Sequence, residues 1–285
     1  MTTYMKTAGK FFAALTTFFI SLTVLAQTDS VQQTTTVKFK LGVYYNSNLN
    51  YYGRTDSLRS SGFFPMAELW FTKNLYINAA PVFVNNKIQS VQYAGTVATM
   101  GYRFNEKNKF AGHFYVVKPF YRSSSELVQS ALKAQVAANF TVLNKIINLN
   151  FGGDIKFSDR TDLGLTGGLD HIFRIQLPGK KVIVIDPSAY VYAGTQQFTK
   201  SYLTKSGGFL LFPGDEQIVS ESSSKFNILS YEFSVPVIFA VSKFQFLLTP
   251  AYVLPQNLIT VPGRPDLSER GKEMFYATVG AKVNF

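Results

Sequence analysis

Leu132-Lys133-Ala134-Gln135-Val136-Ala137-Ala138-Asn139-Phe140-Thr141-Val142 alternates without a break: each even position is apolar and each odd position is polar or small. Beyond Asn144-Lys145 the pattern resumes. Ile147, Leu149, Phe151, Ile155 and Phe157 take one parity, and Asn148, Asn150, Asp154 and Lys156 take the other. A period of two marks a strand with one apolar and one polar face. The two stretches read as a hairpin, and the same rhythm runs through the chain after residue 36 without becoming helical.

Working outward from this hairpin, compact and long connections take turns. Compact turns fall at Lys73-Asn74, Asn105–Asn108, Asn144-Lys145, Pro178–Lys180 and Ser242-Lys243. Longer connections, rich in Ser, Gly and charge, fall at Asn46–Ser60, Asn85–Tyr93, Arg122–Ser130, Ser158–Thr161, Gln196–Phe226 and Pro255–Gly271. Five short and six long connections require twelve strands, with both ends of residues 37–285 on the side of the short turns. About ten residues at ~3.3 Å each, tilted ~45°, cross a hydrocarbon layer. Aromatic residues gather near the expected strand ends, at Tyr44-Tyr45, Phe63-Phe64, Trp70-Phe71, Tyr102 with Phe104, and Phe120-Tyr121. Amphipathic rings there would sit at headgroup level. The expected fold is all-β, a transmembrane antiparallel up-and-down β-barrel of about 12 strands.

Bulk properties narrow the chemistry. The chain has 285 residues, 27 Phe, 16 Tyr, no Cys and a formal charge of +11. Without cysteine there is no disulfide framework, thiolate metal site or Cys nucleophile. Residues 1–26 read as a signal peptide: Lys6 and Lys10 precede the apolar Phe11–Val24 stretch, and Val24-Leu25-Ala26 suits cleavage. Residues 27–36 form a short polar periplasmic lead, and 37–285 the barrel. No later segment offers the ~20 apolar residues of a spanning helix, so a membrane form must be a closed barrel.

The last stretch is Phe275-Tyr276-Ala277-Thr278-Val279-Gly280-Ala281-Lys282-Val283-Asn284-Phe285, apolar at every odd position. It resembles the closing strand of Gram-negative outer-membrane β-barrels, and the composition is similar to that of barrels of the Bacteroidota. The resemblance implies that Phe275, Val279, Val283 and Phe285 form the signal read by the barrel-assembly machinery. It also implies a place in the cell outer membrane, among its lipids and lipopolysaccharide.

Pointing the apolar parity outward leaves Lys38, Lys40, Glu68, Arg103, Lys133, Asp154, Lys156, Asp162, Asp170, Arg174, Asp186, Glu232 and Lys282 facing the lumen. These seven bases and six acids must line water or pair with one another. Near balance favours a paired network across a narrow lumen over a strongly ion-selective pore. Pro65, Pro81, Pro187, Pro236 and Pro250 fall inside expected strands, where a missing N–H needs a bulge or a kink.

Catalytic chemistry finds little support. His113 lies in Gly112-His113-Phe114-Tyr115 and lacks a Ser two residues on, while Asp170 and His171, being adjacent, point to opposite faces. No acidic cluster or His pair suggests a metal, no cofactor is expected, and the bases are too dispersed to indicate nucleic acid. The expected function is a non-enzymatic outer-membrane barrel, acting as a narrow porin-like passive channel or a structural envelope protein. The alternatives are a surface hydrolase built on a barrel and a secreted soluble β-sandwich. The Gln196–Phe226 loop, with its apolar Gly207–Gly214 centre, is the expected constriction or binding surface.

Overall fold

A strand with one apolar face needs hydrogen-bond partners on both edges when that face meets hydrocarbon. The computed structural model meets the demand by closing one sheet on itself. It describes residues 37–285 apart from 57, 89, 107–108, 123–131, 198–222, 264 and 266–267. The expected signal peptide and lead, and most of Gln196–Phe226, therefore lie outside the described residues.

Among the described residues fifteen strands form: β1 (Lys38–Asn46), β2 (Ser61–Trp70), β3 (Leu75–Asn85), β4 (Gln92–Glu106), β5 (Phe110–Tyr121), β6 (Ala134–Val142), β7 (Asn148–Phe157), β8 (Thr161–Asp170), β9 (Phe173–Leu177), β10 (Lys181–Ile185), β11 (Ser188–Gly194), β12 (Asn227–Ser234), β13 (Val237–Val241), β14 (Phe244–Pro255) and β15 (Met274–Asn284). All neighbours are antiparallel. Three pairs, β8 with β9, β10 with β11 and β12 with β13, are single staves interrupted for two residues. Counted as staves the barrel has twelve strands. The seam is β1 against β15, from Lys40↔Asn284 to Asn46↔Thr278. Phe285 completes it: its N–H donates to the Phe39 carbonyl at 2.8 Å, and the two rings stack with centroids 6.0 Å apart.

The prolines mark the places where the ladder changes partners. Pro187 and Pro236 begin the second half of an interrupted stave or end its gap, and Pro250 sits where β14 leaves β13 for β12. Each proline carbonyl still accepts across the break, from His171, Asp186 and Val235 respectively, at 3.1, 2.9 and 3.0 Å. Pro65 and Pro81 share one gap. The register on either side of it, Phe63↔Phe83 and Ala67↔Ala79, sets them opposite each other. Gathering the missing donors onto a few lines leaves the remaining ladder intact.

The outer face is an apolar belt, with Lys118 of β5 standing on it near the long-connection edge against the Phe120 ring. Phe39, Leu41 and Val43 on β1, Leu149, Phe151 and Phe157 on β7, and Phe244, Phe246 and Leu248 on β14 are all exposed. A belt of that extent is incompatible with water and natural in hydrocarbon. In three of the expected pairs alternation sends one member out and one in: Tyr45, Phe63 and Phe120 face lipid, whereas Tyr44, Phe64 and Tyr121 face the lumen; Tyr102 and Phe104, two residues apart, share the outer face. An even-stranded antiparallel barrel with such a belt is the outer-membrane form of a spanning protein. The chain is an integral outer-membrane barrel, and a two-sheet sandwich is excluded because one sheet closes on itself.

Inside, tyrosines lie across glycines of the neighbouring strand. Tyr44 is opposite Gly280, Tyr76 opposite Gly101 and Tyr190 opposite Gly168. A Cβ on Gly280 would stand 2.3 Å from Tyr44 Cδ1, and none fits without moving the ring. Outward-facing Gly167 is different, with Val191 Cγ1 at an ordinary 3.5 Å. Gly280→Ala is therefore expected to lower unfolding stability in lipid vesicles by about 1–3 kcal/mol, the usual cost of overpacking. Gly167→Ala should stay near wild type; urea titration followed by circular dichroism compares the two.

Candidate functional site

The lumen divides into a sealed outer mouth and an open inner vestibule. The seal is the Asn46–Ser60 connection, which folds into the barrel. Its tip is a small hairpin: Tyr51 N–H donates to Arg54 O at 2.8 Å, and Arg54 N–H donates to Tyr51 O at 3.0 Å. The two residues between, Tyr52 (φ 54°) and Gly53 (φ 77°), both take the left-handed conformation that a type I′ turn requires. Gly53 has a second reason to be glycine, since a Cβ would meet the Pro255 ring at 2.9 Å. Tyr52 rests against Tyr51 and against Tyr192 of β11, with centroids at 4.4 and 4.9 Å. Asp56 ties off the connection, accepting from the Ser60 N–H at 2.9 Å and the Ser60 hydroxyl at 2.5 Å.

Arg54 holds the tip in place. Its side chain is 1% exposed and that of its partner Glu269 is 3% exposed. Nε donates to Glu269 Oε2 at 3.0 Å, Nη1 to the carbonyls of Tyr52 and Leu229 at 3.1 and 3.0 Å, and Nη2 to the Gln256 carbonyl at 2.9 Å. Leu229 is reachable because of a bulge. The register passes from Tyr192↔Ser230 to Ala193↔Ile228, leaving Leu229 unpaired and turned inward. The Pro255–Gly271 connection completes the seal: Thr55 N–H donates to Arg270 O at 2.8 Å, and Ile259 N–H donates to Glu269 Oε2 at 2.9 Å. Tyr51, Leu229, Val253, Ile259 and Val261 are buried around this pair. Burial, reinforced by the Asp154 carboxylate, pushes the Tyr51 and Tyr52 hydroxyls well above the ordinary phenol value of 10.0. They stay neutral in the sealed mouth.

At the short-turn end the lumen opens into a vestibule of about 610 Å³, lined by Trp70, Lys73, Asn74, Arg103, His113, Asn139 and Thr141 among others. Lys282 Nζ donates to Glu68 Oε1 at 3.3 Å and Trp70 Nε1 donates to Glu68 Oε2 at 3.0 Å. Lys40 Nζ stands 4.2 Å over the Trp70 ring. Tyr76 and His113 meet at 2.8 Å between the hydroxyl and Nε2, and their rings stack.

The remaining sequence-nominated charges distribute unevenly. Asp154 and Lys156 form a nearly buried ion pair, with Lys156 Nζ 5.8 Å over the Tyr52 ring. Asp162, 0% exposed, accepts from Thr195 Oγ1 and Gln197 N–H, both at 2.6 Å. Asp170 accepts from Asn148 and Asn150, and Asp186 lies beside it. Glu232 accepts from the Tyr276 hydroxyl at 2.9 Å. Lys133 pairs with Asp159 on the exposed outer rim, while Lys38 and Arg174 are exposed at the short-turn end. The near-equal count of acids and bases conceals an uneven spread, with Lys156 the one base among the acids and Glu68 the one acid among the bases. Lys40, Lys282 and Arg103 stand on β1, β15 and β4, whereas Asp154, Asp162, Asp170, Asp186 and Glu232 stand on or beside the wall from β7 to β12. Of the terminal-strand residues, Phe275, Val279 and Phe285 face outward, 62%, 49% and 61% exposed, and Val283 shares their parity.

Neither the Tyr51–Arg54 hairpin nor Glu269 stood out in the sequence, where both lie in polar connections. The one available signal was a Tyr-Tyr-Gly-Arg run inside an otherwise Asn- and Ser-rich loop. Gln196–Phe226, expected as a constriction or a binding surface, lies largely outside the described residues; among the described residues the Asn46–Ser60 connection fills the mouth.

No protein-family model matches the sequence, and no curated protein matches it. Among solved structures the barrel is similar to a KdgM porin (8% identity, 86% of this chain and 99% of that chain covered, TM-score 0.46). It is similar as well to LpxR from Salmonella typhimurium (10%, 86% and 99%, TM-score 0.47) and to an outer membrane channel from Pseudomonas putida F1 (13%, 91% and 100%, TM-score 0.47). These likenesses are weak, and the functional reading rests on the residues of this chain.

Proposed function

We propose that this barrel is a narrow, non-enzymatic conduit of the outer membrane whose outer mouth is closed by the Tyr51–Arg54 hairpin. The observation that carries the reading is the contrast between its ends. One is stoppered by a loop whose Arg54 is held by a buried ion pair and three carbonyls, and the other opens into a water-accessible vestibule. A purely structural barrel gains nothing from a displaceable stopper, since side chains alone can fill a small lumen. Hydrolase chemistry fits poorly with the two histidines. His113 is engaged by the Tyr76 hydroxyl, and His171 by the backbone carbonyl of Ile146.

Removing one partner of a buried ion pair costs about 3–5 kcal/mol, because the other charge is left uncompensated. If that energy holds the hairpin in the mouth, losing it shifts the closed-to-open ratio by more than about a hundredfold. Arg54→Ala and Glu269→Ala are each expected to convert rare single-channel steps in planar bilayers into frequent or sustained ones. The double substitution should add little to either. Folded variants that stay as silent as wild type would return the structural reading to first place.

The two buried phenols give the mouth a pH dependence of known sign. Closed, Tyr51 and Tyr52 remain protonated well above 10.0; released into water, they ionise at that ordinary value. Alkaline conditions therefore favour the open form, by up to about 1.4 kcal/mol per pH unit for each group. Opening is expected to be insensitive to pH near neutrality and to rise above about pH 10. The rise should be blunted in Tyr51→Phe/Tyr52→Phe, recorded in the same bilayers.

A further inference from the structure

The charge in the inner vestibule is one-sided. Glu68 is already neutralised by Lys282 and hydrogen-bonded by Trp70. Among the described residues, Arg103 and Lys40 form no ion pair. Aromatic faces hold them instead. Arg103 Cζ lies 5.2 Å from the Tyr76 centroid and 5.9 Å from that of Trp70, and Lys40 Nζ lies over Trp70. A guanidinium positioned by ring faces keeps its planar N–H fork available for an oxyanion. The Arg103 backbone is fixed as well, because its N–H donates to Asn74 O at 2.8 Å and its carbonyl accepts from the Asn74 amide. Across the cavity, Asn139 and Thr141 bring an amide and a hydroxyl to the wall. Arg103 in the lining of this concave space and Lys40 over its Trp70, neither in an ion pair, concentrate anions between low-dielectric walls.

We propose that the vestibule is a binding site for a small hydroxylated organic oxyanion, a carboxylate or phosphate ester entering from the short-turn side. Arg103 and Lys40 take the oxyanion, and Asn139 and Thr141 face its hydroxyl groups. Binding needs only the vestibule; the further step, that this class is the solute of the conduit, rests on the reading above.

Trp70 is the single tryptophan of the chain and stands in the site, so its fluorescence reports occupancy directly. The detergent-folded protein would be titrated with D-glucose 6-phosphate, with glucose and with inorganic phosphate. Calorimetry in parallel catches binding that leaves the emission unchanged. Glucose 6-phosphate is expected to saturate, phosphate to bind several-fold more weakly, and glucose to give no signal. Arg103→Gln should weaken glucose 6-phosphate binding about tenfold or more, as loss of a charge-assisted contact does. Lys133→Gln, on the outer rim, should leave it unchanged. The site is overturned by absence of saturable signal in both measurements, by glucose binding as well as its phosphate, or by an unaltered titration in folded Arg103→Gln. Phosphate binding as tightly as the sugar phosphate overturns the organic assignment. A barrel that binds but never conducts keeps the site and removes the conduit, and one that conducts without binding does the reverse.

Discussion

Hydrocarbon offers a backbone N–H nothing to bond to, and most of this structure follows from that one deficit. It forces closure, which here depends on β15 finding β1 and on Phe285 extending the ladder to Phe39. It dictates where proline can stand. Opposing Pro65 and Pro81 places their missing donors in one gap, and Pro187, Pro236 and Pro250 line the boundary where three adjacent staves change partners. It also restricts irregular backbone to the connections and the lumen, where water or protein can satisfy it. The Leu229 bulge is such a case. Its extra residue turns inward, and its carbonyl accepts from Arg54 and from the Gln256 N–H.

The lumen meets a second constraint, that of filling a cylinder lined by polar parity. Large side chains from opposite walls would collide or leave voids, and the chain alternates tyrosine with glycine on neighbouring strands instead. Tyr44 against Gly280, Tyr76 against Gly101 and Tyr190 against Gly168 let each ring lie along the wall. The phenolic ends remain available for polar work, as in the Tyr276 bond to Glu232 and the Tyr76 bond to His113. The result is a wall both smooth and polar. It keeps space open at the inner end and gives Tyr52 an aromatic seat at the outer one.

Strand number and the direction of nearly every strand residue were legible in the sequence, because alternation is a local property and each face answers to one solvent; connection length was less so, since Ser158–Thr161, expected to be long, is a tighter turn than the one at Asn144-Lys145. The interrupted staves were not. They depend on how prolines in different strands align, as Pro65 and Pro81 do, and register between strands is a long-range quantity. The nominated charges met a similar limit. Parity shows which way Lys133 points, but not that it clears the rim and pairs with Asp159 in solvent. Counting acids and bases likewise cannot reveal that most of the acids gather on the wall from β7 to β12, with Lys156 among them, while Lys40, Lys282 and Arg103 gather near Glu68 on the other. The Arg54–Glu269 pair was hidden most completely, since its partners are 215 residues apart and both sit in polar loops. Nothing local distinguishes a loop that folds inward from one that stands out in water.

That pair also explains why one connection among six could become a stopper. An arginine taken from water needs several acceptors at once, and Arg54 receives a carboxylate and three carbonyls drawn from its own hairpin, from the β12 bulge and from the end of β14. A partly withdrawn Arg54 would keep the desolvation cost without its bonds. The inner end has the opposite character. Its Lys40 and Arg103 rest on π faces and form no ion pair among the described residues. One lumen thus combines a mouth closed by buried bonds with a vestibule that stands open.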